Sequence, residues 1–370
     1  MSTPQKLANL SLVPFVVAYF VQRLLAKARK WVSGAAGNHS ADPTAKNNEV
    51  VRAGAETIGC QVIELPNGFL SITSKGKRRH SRGSYFDFES LTASQICGDK
   101  EVSQQILDAA GLPVPTFRCF RFSQFGAALR FQDETSGRVV TKPSWGTADG
   151  AGVTIGIRTR WGFVRGFARA LASSKGRVLV EEHCAGTNYR LTVLAGEIVS
   201  IIERKQAHVV GDGTSTVEEL IRAKNARLDD GVSLRWAPIR MDRQAREYLH
   251  TQGYAPSSIP PVESEVLLSE MCFADLGGEL RDVTAAADPS YAALACEAAA
   301  LVGARLCGVD LITTDIARPR QEVDCVLNEV NTTPALYIVD VPGASQPTRI
   351  GERLVEMMMA GGVTDGRPSP

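Results

Sequence analysis

Two short segments in the last third of the chain limit its fold more than any other feature: Gly308-Val309-Asp310-Leu311-Ile312 and Glu329-Val330-Asn331. Both are apolar or β-branched, the first opening on Gly308 and the second closing on Thr332-Thr333-Pro334. Each is therefore expected to be a short buried strand. Side chains i and i+2 of a strand share a face, so Glu329 and Asn331 point the same way and Val330 turns into the core. If the Asp310 strand lies alongside, three hard oxygen ligands converge on one spot. Mg²⁺ takes such a set, one or two carboxylates together with substrate phosphates. The competing reading is an Asn-Thr turn that follows a glutamate.

A chain of 370 residues has room for about two domains and a substantial core. Its 41 basic and 40 acidic residues leave a net charge of +1, which gives no basic footprint for nucleic acid. The eight cysteines include no CxxC pair, which argues against zinc and disulfide frameworks and suits a reducing cytoplasm. The histidines include no HExxH pair. Leu10 to Val21 is almost wholly apolar but too short to span a bilayer. Basic residues follow this run (Arg23, Lys27, Arg29, Lys30), the wrong order for a signal peptide. Residues 10–31 then have two readings. One is an amphipathic helix in peripheral contact with a membrane; the other is a helix packed on the body of the protein or on a second subunit.

Ser33 to Asn48 has a linker composition. Val62–Leu65, Asn67-Gly68 and Phe69–Ile72 spell a β-hairpin, and the basic run Lys75 to Arg82 is expected to be a solvated loop. Helical spacing covers Asp99 to Ala110, with further helices expected at Val217–Ala226 and Tyr291–Ala304. Strands are expected at Val139–Lys142, Val153–Ile157, Val178–Glu181, Leu191–Leu194 and Ile198–Ile202. Strands and helices mix without βαβ alternation, so the fold class is α+β with mixed or antiparallel sheets.

Lys142 ends a predicted strand, and Gly146, Gly150 and Gly152 follow it in a loop. Glycines let backbone N–H groups turn inward toward a triphosphate, and an ammonium beside them neutralises its charge. The loop is neither a Walker A motif nor GxGxxG. Further on, Val180-Glu181-Glu182-His183-Cys184 ends a strand in carboxylates that suit an adenine edge, and Asn188 suits a ribose hydroxyl. Solvated strand-end charges are the alternative.

The order of these pieces is more telling than any one of them. Gly98-Asp99-Lys100, Thr141-Lys142-Pro143, Val180-Glu181, Gly186-Thr187-Asn188-Tyr189-Arg190, Ala207 to Gly213, Asp282-Val283-Thr284, Gly308-Val309-Asp310 and Asn328-Glu329-Val330-Asn331 follow one another. In this order the chain resembles the ATP-grasp superfamily, most closely the ATP-grasp domains of cyanophycin synthetase and of bifunctional glutathione synthetases. The resemblance implies two α+β lobes gripping ATP. Residues 1–50 would be an N-terminal helix and linker, and 51–97 a small β-containing region. The ATP-grasp domain would run over 98–350 with a lid subdomain about 115–185, followed by a C-terminal helix and tail over 351–370.

The resemblance also implies roles. Lys100 and Lys142 would meet the phosphates, the Gly146–Gly152 loop would act as a lid, and Glu181, Glu182 and Cys184 would hold adenine and Asn188 the ribose. Asp310, Glu329 and Asn331 would bind Mg²⁺, two ions in this family, with Mn²⁺ as a substitute. Arg190 and Arg204 would face the phosphates or the acyl group, with Lys142 sharing the catalytic role; the tetrahedral oxyanion of amide formation needs a cation, for which Arg190 and Arg281 are the two candidates. Asn188 departs from the acid most relatives carry there, and Asp275-Leu276-Gly277-Gly278 only partly matches a substrate loop. The expected activity is an ATP-dependent carboxylate–amine ligase acting in the cytoplasm through an acyl phosphate on amino acids or short peptides; the oligomeric state is open, a homo-oligomer being one option. The alternatives are a phosphotransferase of the same fold and a nucleotide-binding module without catalysis. His208, ahead of Gly211-Asp212-Gly213, is either an amine-proton relay or a structural histidine.

Overall fold

The computed structural model describes residues 42–360 apart from 136–137, 147–149, 229–233, 236, 273–275 and 342–346. Residues 10–31 and the tail beyond Ala360 lie outside the described residues. The described chain divides into two compact units, the first formed by Thr92–Ala185 with Val326–Glu329 and the second by 42–91, Gly186–Cys325 and the chain from Val330. A boundary drawn along the sequence does not express this division, because the strand Cys325–Asn331 is shared between units.

In the first unit an antiparallel sheet runs in the order Phe117–Arg121, Arg177–Glu182, Val139–Pro143, Thr154–Ile157. Helices Phe125–Glu134 and Arg160–Ser173 contribute Phe125, Phe131, Phe163 and Phe167 to a core shared with Val139, Val178 and Val180. Close packing explains Gly166, where a Cβ would lie 2.7 Å from Ile157 and 2.8 Å from the Thr141 hydroxyl. Helix Lys100–Ala109 starts where Asp99 accepts a hydrogen bond from the Glu101 N–H, an N-cap that satisfies an orphan donor. It buries Lys100, Ser103, Gln104 and Leu107, one face at i, i+3, i+4 and i+7.

The second unit is built around a five-stranded sheet in the order Glu279–Asp282, Glu197–Lys205, Thr187–Leu194, Leu306–Thr313, Cys325–Asn331. The strand expected at Leu191–Leu194 begins at Thr187, because polar Asn188 and Arg190 alternate with buried Tyr189 and Leu191. The hairpin forms as expected (Gln61–Leu65 with Phe69–Ser74), and Asn67 takes the left-handed conformation at its turn, φ 61°.

Two expectations are corrected here. The basic run is a strand, Lys77–Arg82, that pairs with Phe69–Ser74. Its charges sit on a half-exposed sheet, which composition does not distinguish from a loop. Helix Pro43–Thr57 replaces the last part of the expected linker. Asp42 caps it and Pro43 opens it, a start signal hidden in linker-like composition.

That helix crosses helix Ile350–Ala360 where Gly54 meets Gly351: a Cβ on Gly54 would stand 2.1 Å from the Gly351 carbonyl carbon. Such an approach of two backbones has no room for a methyl group. Gly54→Ala is therefore expected to destabilise the protein by about 2 kcal/mol despite the better helix propensity of alanine. A urea midpoint at or above that of the wild type would refute this packing.

Candidate active site

The first unit clusters four of the residues singled out in the sequence around one buried lysine. Lys142, on the central strand Val139–Pro143, is 4% exposed. Its Nζ donates to Glu181 Oε2 at 2.8 Å and to Asn328 Oδ1 at 3.2 Å. Strand pairing places the two acidic and basic side chains together, since Thr141 lies opposite Val180 and Val140 opposite Glu181. Lys100, at the N-terminus of its helix, donates to Glu329 Oε1 at 2.6 Å. One turn further on, Gln104 Nε2 donates to Glu181 Oε2 at 3.1 Å and to the Asn328 carbonyl at 3.4 Å. Each ammonium is thus paired with a carboxylate on a neighbouring element, which fixes its direction.

The second unit gathers Arg190 and Arg204 on one sheet face. Asp310 lies directly opposite Arg190 across two adjacent antiparallel strands. Arg190 grips it with both arms, Nε to Oδ1 at 2.5 Å and Nη2 to Oδ2 at 2.9 Å, a bidentate pair. Arg204 donates to the same Oδ1 at 3.0 Å. Gly308 makes the grip sterically feasible, because a Cβ there would sit 2.7 Å from both Cδ and Nη1 of Arg190. Asn331 Nδ2 approaches Asp310 Oδ2 at 3.5 Å. Asn188, opposite Arg204 and therefore on the same face, donates to the Cys272 sulfur at 3.4 Å. Burial pushes the Cys272 thiol up to about 11, so it stays a neutral thiol at this cationic face. Neither Gln104 nor Cys272 was signalled by the sequence: each is an ordinary residue whose importance comes from its spatial neighbours.

Some expected residues lie elsewhere. Arg281 stands opposite Glu203 and pairs with it at 2.8 Å, while its neighbour Leu280 stands opposite Arg204. Alternation therefore turns Arg281 to the opposite side of the sheet from Arg204, and it does not join the cationic face. Glu181, expected at an adenine edge, has Lys142 and Gln104 as its partners. Glu182 and Cys184 follow it at the strand end, both half-buried. Of the expected lid, Gly146, Gly150 and Gly152 have positive φ of 45°, 64° and 84°, and residues 147–149 lie outside the described residues. His208 is locked in a charged cluster of the second unit. Its Nδ1 meets the Gln206 carbonyl at 2.9 Å, and its Nε2 meets Lys224 at 3.2 Å and Glu265 at 3.5 Å. These contacts favour the structural reading of this histidine.

By chemistry two carboxylates and an amide carbonyl, those of Asp310, Glu329 and Asn331, suit Mg²⁺; in this structure Asp310 accepts from Arg190, Arg204 and Asn331, and Glu329 accepts from Lys100. The set contains only two acids; among the described residues no three His, Cys, Asp or Glu side chains cluster to hold a metal. No described helix is long and apolar enough to cross a membrane.

No protein-family model matches the chain. A cyanophycin synthetase from Nostoc sp. is 29% identical over 323 residues, 84% of this chain and 35% of that protein. A glutathione biosynthesis bifunctional protein from Enterococcus faecalis is 34% identical over 274 residues, covering 71% of this chain and 35% of that protein. The crystal structure of a bifunctional glutathione synthetase from Pasteurella multocida matches with a TM-score of 0.61 at 26% identity, over 85% of this chain and 43% of that one. The chain belongs to the ATP-grasp superfamily and has its α+β fold. It spans about a third of the length of these curated relatives.

The His208 cluster gives a pH prediction. Burial, with the charge of Lys224 adding to it, holds the folded imidazole below its ordinary pKa, against the raising effect of the Gln206 bond. On acidification the unfolded chain takes up that proton first, near pH 6.5. Stability from this group is therefore full above about pH 7 and is lost as pH falls from there toward the depressed folded value. His208→Gln should lower stability at neutral pH and flatten the slope below it, as read from urea midpoints across the range. An unchanged slope would remove the cluster from the account.

Proposed function

We propose that the chain is an ATP-dependent carboxylate–amine ligase that forms an amide bond, with amino acids or short peptides as substrates. In this reading a substrate carboxylate oxygen attacks the γ-phosphorus of ATP, the bond to the β-phosphate oxygen breaks, and acyl phosphate and ADP form. An amine then adds to the acyl carbon, phosphate leaves, and the amine gives up a proton. Phosphoryl transfer asks little covalent work of a protein, so catalysis reduces to alignment and charge neutralisation. No nucleophilic side chain is needed.

Lys100 and Lys142 meet the phosphates with ammonium groups already oriented by Glu329 and Glu181. Glu182 and the backbone near Cys184 hold the base, and Asn188 the ribose. Arg190 and Arg204 take the negative charge of the carboxylate and of the oxyanion that follows, and Asp310 keeps both guanidiniums aimed. Asp310, Glu329 and Asn331 would hold Mg²⁺, two ions by analogy with the superfamily, which would neutralise charge on the transferred phosphoryl group. The observation that supports this reading best is Asp310 gripped by Arg190 and Arg204 over a glycine, which fixes the direction of two guanidiniums on one sheet face.

Screening amino-acid pairs for ADP release, with and without hydroxylamine, tests the chemistry. The ligase reading expects ADP together with a hydroxamate trapped from the acyl phosphate. ADP without hydroxamate would point to simple phosphotransfer, and neither product to a binding module. Glu329→Gln is expected to cut turnover by at least ~10²-fold, the scale of losing a phosphoryl-transfer metal ligand. Arg281→Ala should stay within ~3-fold of the wild type, since an exposed pair with Glu203 contributes little. A loss as large as that of Arg204→Ala would restore Arg281 to the reacting centre.

A further inference from the structure

On the reading that Lys142 meets the nucleotide phosphates, we propose that Gln104 is a positioning residue that fixes the direction of that lysine. Four side chains of the first unit close a ring. Lys142 Nζ donates to Glu181 Oε2 at 2.8 Å and to Asn328 Oδ1 at 3.2 Å. Gln104 Nε2 donates to the same Glu181 oxygen at 3.1 Å and to the main-chain oxygen of the same Asn328 at 3.4 Å. Gln104 therefore bonds the carboxylate oxygen that accepts from the lysine and the main chain of the residue whose side chain is the lysine's other acceptor.

An ammonium has three N–H donors. The ring takes two, so the direction of the third is set by where Glu181 and Asn328 stand. Gln104 sets where they stand. It is 2% exposed, and its helix is anchored by Lys100 one turn earlier through the bond to Glu329.

The amide holds this place at a cost. Its Oε1 is buried and has no hydrogen-bond partner. A carboxylate only accepts, so the amide must present its NH₂ to Glu181, which strands the oxygen in the interior. An apolar side chain of the same length would fill the space without that orphan acceptor. What it would lack is the donor. A charged residue would not serve either: a carboxylate would repel Glu181, and a second ammonium would compete with Lys142 for the shared oxygen.

Calorimetric titration of the full chain with Mg²⁺ and a non-hydrolysable ATP analogue tests this. Gln104→Met keeps volume and helix propensity and removes the donor. Its Kd is expected to rise about tenfold, the scale of one hydrogen bond to a charged group. In a Lys142→Met background the same substitution should change Kd by less than about twofold, because Gln104 acts through that lysine. Wild-type affinity in Gln104→Met, or equal weakening with and without Lys142, overturns the proposal. Should Gln104→Met fail to fold, Gln104→Glu keeps the shape and exchanges donor for acceptor, and wild-type affinity there overturns it equally. Wild-type affinity in Lys142→Met alone would sink the nucleotide reading instead, a distinct result.

Discussion

One carboxylate holds the cationic face of the second unit together. Asp310 receives both arms of Arg190 and one of Arg204, and all three side chains are largely buried, at 15%, 11% and 21% side-chain exposure. Asp310 is the acceptor that both guanidiniums share in a poorly solvated place, and removing it would take from two buried cations the carboxylate that fixes their direction. The geometry is backbone-made: directly opposite positions on adjacent antiparallel strands bring Asp310 and Arg190 together, and the missing Cβ of Gly308 lets the guanidinium lie across the strand. Removing any of the three elements changes the direction of a charge.

The first unit solves the same problem with ammonium groups. Lys142 and Lys100 are each held by a carboxylate, and Lys142 by an amide as well. Lysine is a compact point charge on a flexible stem, and it gains direction only from its acceptors. Arginine carries direction in its plane, and a single carboxylate suffices to fix it. The two clusters thus show two routes to preorganisation, one by a hydrogen-bond ring and one by a bidentate fork. In neither does a cation wait unsupported for its ligand.

Much of this was legible in the chain itself. The Gly308-Val309-Asp310 and Glu329-Val330-Asn331 segments are strands because β-branched alternation has few other outlets, and period-two geometry assigns their faces. Lys142 and Glu181 could be named from position. Their mutual pairing could not, because it depends on which strands are neighbours. Arg281 shows the limit most clearly: it lies only one residue beyond the position opposite Arg204, and strand register alone turns it to the other side of the sheet. Gln104 and Cys272 carry no motif, so only three-dimensional neighbours reveal them. The helix at Pro43 and the strand at Lys77 were hidden by composition, since small polar residues and basic runs occur in ordered elements whenever a core lies on one side.

The most direct test of the account adds a single methyl group. Gly308→Ala leaves every charged residue in place and moves only the Arg190 guanidinium off Asp310. Rates of ADP release under conditions where the wild type turns over, compared with circular dichroism of the folded state, separate misalignment from misfolding. If the fork aligns the reacting groups, Gly308→Ala is expected to be fully folded with ADP release at least about tenfold lower, the scale of misplacing a reacting group by about an ångström. A folded variant with undiminished release would mean that the Arg190–Asp310 fork is not where the reaction takes place.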